Sequence, residues 1–187
     1  MSGSRPVLLV MDFQHGIVER FSASTVIEAA DRAVKAARSA EIPVIFVRVA
    51  FRPGYPEIAE SNATFSAMAA SAGDQYTESH PATQVHASLQ PLEAEPVVIK
   101  RRVSAFTGSD LEVLLRGLGV DTLILAGIST SGVVLSTLRQ AADLDYGLVV
   151  LSDACADTDA EVHRVLTEKV FPRQAQVTTT DEWVSTL

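Results

Sequence analysis

Two charged side chains follow apolar runs of the chain, and both are types that can hold or transfer a proton. Asp12 comes directly after the run 6–11, and Lys100 comes directly after the run 96–99. A carboxyl group at the end of a buried strand suits general acid–base catalysis, and an ammonium group beside it favours the ionised form. Each also has a simpler interpretation. Asp12 could cap a helix or bind loop amides, and Lys100 could be a solvated charge.

The elements that must position these residues are predicted from short apolar runs that alternate with amphipathic stretches. The predicted strands occupy residues 6–11, 43–49, 96–99, 122–126, 147–151 and 176–178. Strands that are apolar on both faces and separated by helices are typical of a parallel sheet covered on both sides. Right-handed crossovers then predict one three-layer, doubly wound α/β domain over residues 1–187, with a six-stranded parallel sheet of order 3-2-1-4-5-6.

Helices are predicted from amphipathic periodicity and from helix-capping residues. They occupy about 25–39, opened by a capping box of Thr25 and Glu28, and then 109–118, 131–144 and 159–170. Gly119 is expected to end the second of these helices. The stretch 50–95 contains several prolines and glycines and has no clear periodicity. A loop of that length in a compact domain is usually functional or poorly ordered.

Further site candidates come from the residues just past each strand, because ligands of open parallel sheets bind at the carboxyl ends of the strands. Phe13 and Gln14 follow the first strand, Arg52 and Tyr55 the second, and Phe106 the third. Arg52 and Tyr55 fit a loop surface equally well, and the two phenylalanines fit the core equally well.

The histidines carry less information. His163, in the middle of a predicted helix, is expected at the surface, and His15 could point toward the site or away from it.

Composition and charge exclude several classes of function. The formal net charge of −8 makes nucleic acid an improbable partner. Every apolar run is too short to cross a bilayer, and the N-terminus lacks the apolar core of a signal peptide, so we expect a cytoplasmic protein. One cysteine and four scattered histidines predict neither a disulfide framework nor a metal or other cofactor.

Three motifs, taken together and in order, resemble the isochorismatase-like hydrolases. They are LLVMDFQ, VIKRRVSAF-x-G-x-x-L and LAGISTSGVVLST. This superfamily includes nicotinamidases, carbamoylsarcosine amidases and isochorismatases. The resemblance covers nearly the whole chain, and it implies the fold of that superfamily and a small-molecule substrate.

The usual triad of this superfamily is matched at two of its three positions. An Asp follows strand one and a Lys follows strand three, and Asp12 and Lys100 fall on these positions. The third member is a cysteine in the pattern G-[VI]-x-T-x-x-C-V-x-x-T, and here that position holds Val133. The nearest hydroxyls, on Ser131 and Ser136, do not fall on it.

Cys155 lies elsewhere, after strand five, in a stretch that the family often has beside an intact nucleophile. We predict that Cys155 is a buried structural residue.

The resemblance therefore implies a hydrolase without a covalent intermediate. Isochorismatases of this superfamily lack the cysteine and cleave a vinyl ether, with the aspartate as general acid. By this comparison, Asp12 gives the proton and Lys100 tunes its pKa. The backbone from Ile128 to Val133 then holds the substrate, through residues Ile128, Ser129, Thr130 and Gly132. The resemblance also implies a cis peptide near Ile128–Ser129.

Two other interpretations remain open, namely a catalytically inactive small-molecule-binding descendant and a scaffolding protein. The histidine-containing metal signature of nicotinamidases is missing from residues 48–60, which also predicts that no metal is bound. Apolar helices, such as residues 133–142, and the long irregular segment 50–95 could form a symmetric interface, and we predict a homodimer or homotetramer. Since predicted strand three lies at the edge of the sheet, two strands from Asp12, Lys100 is expected to reach Asp12 only if its loop curls back over the sheet.

Overall fold

The computed structural model describes residues 4–21 and 24–187 and contains a six-stranded, fully parallel sheet. The strands are β1 (Pro6–Met11), β2 (Val44–Val49), β3 (Val97–Lys100), β4 (Thr122–Ile128), β5 (Gly147–Ala156) and β6 (Gln176–Thr178). Their order is β3-β2-β1-β4-β5-β6, which confirms the predicted topology.

Three strands extend beyond their predicted carboxyl ends, which is the edge of the sheet where the candidate site lies. Lys100 is the last residue of β3, β4 continues to Ile128, and β5 continues to Ala156. Polar or small residues replace the apolar run in these extensions, so hydropathy alone missed them. Backbone pairing nevertheless continues, with Gly127 opposite Cys155 and Ile128 opposite Ala156.

Seven α-helices are present in the described residues. They are α1 (His15–Val18), α2 (Ser24–Ser39), α3 (Ala63–Ser71), α4 (Leu111–Leu118), α5 (Leu135–Asp143), α6 (Ala160–Val165) and α7 (Thr180–Val184). Short wider turns at Thr130–Val134 and Leu166–Val170 flank α5 and α6. Gly119 ends α4 with φ 65°, as expected for a left-handed helix terminus.

The capping box predicted at Thr25 and Glu28 is wrong. The described part of α2 already includes Ser24, so Thr25 lies inside the helix, and the preceding positions 22 and 23 are outside the described residues.

Two apolar cores cover the two faces of the sheet. On one face, the alanine-rich side of α2 and Trp183 of α7 pack on Leu8, Phe46 and Ile124. On the other face, Leu111 and Leu115 of α4 and Leu138 of α5 pack on residues of β1, β2 and β4. The inner strands β1, β2 and β4 are therefore buried on both sides, which is why their sequences are continuous apolar runs.

The segment 50–95, predicted as a long loop, contains α3 and two short turns at Pro81–Thr83 and Ala87–Leu89. Two arginines that follow Lys100 bind this segment. Arg101 donates to the Ala50 carbonyl and pairs with Glu78, and Arg102 donates to the Glu57 carbonyl at 2.7 Å. The segment is thereby fixed over the carboxyl edge of β1, β2 and β3.

Candidate active site

Asp12 stands at the carboxyl end of β1 and is held in an unusual backbone conformation. Its φ is 59°, in the left-handed region, and its N–H donates to the Val47 carbonyl of β2 at 2.8 Å. Aspartate tolerates this region better than most residues, although the conformation still costs free energy that surrounding contacts must offset. Only 5% of the residue is exposed.

Lys100 meets Asp12 across the end of β2. The register places Lys100 beside Val49 of β2, and its Nζ lies 2.9 Å from Asp12 Oδ2. The same Nζ donates to the Arg102 carbonyl at 3.0 Å. Lys100 is 2% exposed, so this is a buried ion pair between the edge strand and a central strand. The expectation of a loop that curls back over the sheet is wrong, since Lys100 is the last residue of β3 and its long side chain spans the end of β2.

Burial raises the pKa of Asp12 above its ordinary value, and the nearby Lys100 ammonium only partly opposes this shift. The other carboxyl oxygen, Oδ1, has no hydrogen-bond partner among the described residues. An unpartnered, buried carboxyl oxygen is costly unless a ligand, a water or a proton satisfies it. Asp12 therefore keeps its proton up to a higher pH than a solvated aspartate does.

The turn after β4 forms the wall opposite the ion pair. The peptide bond between Ile128 and Ser129 is cis. Ser129 Oγ accepts a hydrogen bond from Gly132 N–H at 3.1 Å, and Asp157 Oδ2 accepts one from Ser131 N–H at 2.7 Å. These bonds satisfy backbone donors at the start of the following helix, so the turn has a defined shape.

Thr130 and His163 provide a further support for this turn. Thr130 is fully buried, and its hydroxyl lies 2.8 Å from His163 Nδ1 on α6. The prediction of His163 as a surface residue is therefore wrong, since it is partly buried against the turn. Thr130 itself supports the turn from behind and is not among the residues that line the cavity.

A cavity of about 540 Å³ opens above the ion pair. Asp12 and Lys100 line it together with Ile128, Ser129, Gly132 and Val133. Val133 is 2% exposed and belongs to the core as well as to the cavity wall. The volume lies within the range of small-molecule sites, and the mixture of an apolar wall with a few polar groups is typical of them.

Besides Thr130, five of the residues predicted to bind substrate do not line this cavity. Phe13 and Phe106 are core residues on opposite faces of the sheet. Gln14 uses its amide to bind the N–H and carbonyl of Val49 and the carbonyl of Thr83, so its role is structural.

Arg52 and Tyr55 also lie away from the lining of this cavity. Arg52 pairs with Glu57 at 2.7 Å. The Tyr55 hydroxyl donates to the Gly73 carbonyl at 2.7 Å. Both interactions belong to the segment that covers the sheet edge, and sequence position alone could not distinguish them from substrate contacts.

Several lining residues were missed by the sequence analysis. They come from α1 and the residues after it, from α3 and the residues after it, and from the loop after β3, and they include Ile17, Arg20, Phe65, Met68, Gln75, Tyr76 and Val103. The one available signal was the unusual length of segment 50–95, which indicated function without indicating which residues would face the ligand.

Cys155 is buried in the core and does not line the cavity. It is 3% exposed within the core cluster that contains β4 and β5, and burial raises the pKa of its thiol to about 12. A thiol with that pKa is almost entirely protonated at neutral pH and is a weak nucleophile.

Within residues 4–21 and 24–187, no group of three or more His, Cys, Asp or Glu side chains is placed to hold an ion. His15 lies against the ring of His86, with centroids 4.9 Å apart, and not against the Asp12–Lys100 pair.

The part of the chain that the structure describes has no helix long and apolar enough to span a bilayer.

The doubly wound sheet and the buried acid–lysine pair at its carboxyl edge place the chain among the α/β domains that bind small molecules at that edge. Residues 6–182 match the family model described as Isochorismatase domain, and the chain belongs to this family.

The comparisons with individual proteins agree. The chain is 32% identical over 191 residues to the uncharacterized isochorismatase family protein YecD of Escherichia coli O157:H7, covering 100% of this chain and 98% of that protein. It is 35% identical over 143 residues to the ureidoacrylate amidohydrolase RutB of Pseudomonas savastanoi, covering 71% of this chain and 58% of RutB.

Among solved structures, an isochorismatase family protein from Burkholderia thailandensis superposes with a TM-score of 0.84 at 27% identity. The superposition covers 97% of this chain and 94% of that protein.

Proposed function

We propose that the protein hydrolyses a small metabolite by acid–base catalysis through Asp12, without a covalent enzyme intermediate. The observation that carries this proposal is the carboxyl group of Asp12, which is buried at the cavity beside Lys100 with Oδ1 unpartnered. A carboxyl oxygen in this position can donate a proton to a bound substrate. The raised pKa of Asp12 increases the fraction of acid form that is present near neutral pH.

The surrounding residues support a route through water. Val133, aligned by resemblance with the cysteine of related hydrolases, has no nucleophilic atom, and Cys155 is buried in the core. Ser129 lines the cavity, but its hydroxyl accepts a bond from Gly132 N–H and no histidine is bonded to it among the described residues. A serine nucleophile is normally activated by such a base.

The reaction then balances with one proton and one water. Asp12 gives its proton to the substrate, which makes the carbon of the scissile bond electron-poor. The oxygen of a water molecule bonds to that carbon, and one proton of the water returns to Asp12. The old bond then breaks with its electron pair going to the leaving group, which keeps the proton from Asp12 in an amide and takes the proton of the new hydroxyl group in a vinyl ether. Lys100 stabilises the Asp12 carboxylate while the proton is away.

The test is a comparison of matched variants on a panel of vinyl ethers and amides. Asp12→Asn keeps the shape of the side chain but removes the proton donor, so we expect turnover to fall by about a thousandfold. Cys155→Ala should retain turnover within a few-fold, because the thiol is outside the cavity. Intact-protein mass spectrometry after acid quench should show no adduct.

Three results would contradict the proposal. A covalent adduct on the protein during turnover would show a nucleophilic mechanism, and full activity of Asp12→Asn would remove the proposed acid. Tight binding of panel members with no turnover of any of them would favour the alternative of a non-catalytic binding protein.

A further inference from the structure

The charges around the cavity are unbalanced. Three of the described lining residues are charged, namely Asp12, Lys100 and Arg20, and the rest are apolar or neutral. The Asp12 carboxylate balances Lys100 at 2.9 Å. Arg20 makes no ion pair with any carboxylate in the part of the chain that the structure describes. Its guanidinium instead donates to the Tyr76 hydroxyl at 2.7 Å and lies 5.8 Å from the centre of that ring.

Arg20 and Tyr76 also form a boundary between two cavities. Both residues line the cavity above Asp12 and a second one of about 400 Å³ beside it. Glu19 lines only the second cavity. Glu19, the acidic neighbour of Arg20 in the chain, is therefore absent from the lining of the cavity above Asp12, here called the inner cavity, whereas Arg20 belongs to both linings.

We propose that Arg20 determines substrate specificity by binding an anionic group, and that the substrate is a small carboxylate with an apolar body. This inference rests on the proposed function in one respect, that the substrate occupies the inner cavity. A guanidinium presents paired N–H donors that match a carboxylate. The hydroxyl of Tyr76 orients that guanidinium, and side chains such as Phe65, Met68 and Val133 offer an apolar surface for the rest of the molecule.

The electrostatics of the reaction favour the same class of ligand. When Asp12 is in its acid form, the described lining carries two positive charges, on Lys100 and Arg20, and no negative one. An anion reduces that repulsion. A negative charge held nearby also favours the acid form of Asp12, which is the form that donates a proton.

A binding experiment with two matched probes tests this inference. Benzoate and benzamide have the same ring and nearly the same shape, but only benzoate is charged at pH 7. By isothermal titration calorimetry we expect the wild-type protein to bind benzoate about tenfold more tightly than benzamide, as for one charge-assisted hydrogen-bonded pair. Arg20→Gln should remove this preference and leave benzamide binding unchanged.

Two further variants separate Arg20 from general effects of charge and packing. Arg116→Gln removes another exposed arginine, on α4, that pairs with Glu112, and it should keep the full preference for benzoate. Tyr76→Phe keeps the ring but releases the guanidinium, and it should weaken benzoate binding about threefold with benzamide unaffected.

The inference is overturned if the preference for benzoate survives in Arg20→Gln, because Lys100 would then be the anion site. It is also overturned if benzamide binds as well as benzoate, or if neither probe binds at about 10 mM. These outcomes do not depend on turnover, so they are distinct from failure of the acid mechanism, which is tested by Asp12→Asn.

Discussion

Replacing Lys100 by methionine should destabilise the protein in a strongly pH-dependent way. Lys100 Nζ is 2.9 Å from Asp12 Oδ2, and both side chains are almost fully buried. Removing one partner of a buried ion pair leaves an uncompensated charge, which typically costs about 3–5 kcal/mol. Methionine has a similar length and no charge, so the packing loss should be small.

The pH dependence follows from the pKa of Asp12. Burial raises this pKa in the folded protein, and Lys100 is the largest influence that lowers it. In Lys100→Met the folded-state pKa therefore rises further above the unfolded value of 3.8. For a carboxyl group with a raised folded pKa, stability is highest when the group is protonated and is lost as pH rises through the folded pKa.

The difference in unfolding free energy between wild type and Lys100→Met should consequently be small at about pH 4 and about 3 kcal/mol at pH 8, where the buried Asp12 carboxylate is left unpaired. Urea unfolding at a series of pH values measures it. Asp12→Asn in the Lys100→Met background should recover most of the loss at pH 8, because no buried charge remains.

A matched control is Lys35→Met, which removes an exposed i,i+4 pair with Asp31 and should cost at most about 0.5 kcal/mol at every pH. A loss in Lys100→Met that is the same at pH 4 and pH 8 would refute the reasoning, as would a loss no larger than that of the control.

Two further predictions concern the turn and the cysteine. Gly132→Ala places a Cβ 2.6 Å from Ser129 Oγ, so it should displace the serine and lower the free energy of unfolding by about 1–2 kcal/mol. Gly117→Ala, with nothing within 4 Å, should stabilise the helix slightly, and equal effects of the two substitutions in urea unfolding would contradict this account. Cys155 should react with Ellman's reagent at pH 8 at least a thousandfold more slowly in the native protein than in urea, since burial raises the pKa of its thiol to about 12. Rapid labelling of the native protein would show that this region opens.

The sheet was predictable because the same pattern of burial repeats along its inner strands. Strands buried on both faces are continuous apolar runs, and right-handed crossovers leave few possible orders, so topology followed from hydropathy. The polar ends of β4 and β5 were not predictable in this way. They are held by pairing between Gly127 and Cys155, which depends on the neighbouring strand and has no hydropathy signature.

The candidate site was predictable only where it touches the sheet. Asp12, Lys100 and Val133 follow or adjoin strands, and the structure brings them to one cavity. Arg20 and Tyr76 reach that cavity through contacts between α1 and the segment that covers the sheet edge, more than fifty positions apart in the chain. Such long-range placement is not encoded in any short pattern.

The left-handed backbone at position 12 restricts how this protein can change over generations. Besides glycine, asparagine and aspartate enter that conformation more readily than most residues. A descendant that abandons proton transfer therefore reaches asparagine or glycine first, with the polypeptide path intact, whereas glutamate, chemically the nearest acid, must overcome an unfavourable backbone geometry. The main chain at this position therefore favours aspartate over glutamate as the acid, in addition to any preference of the chemistry.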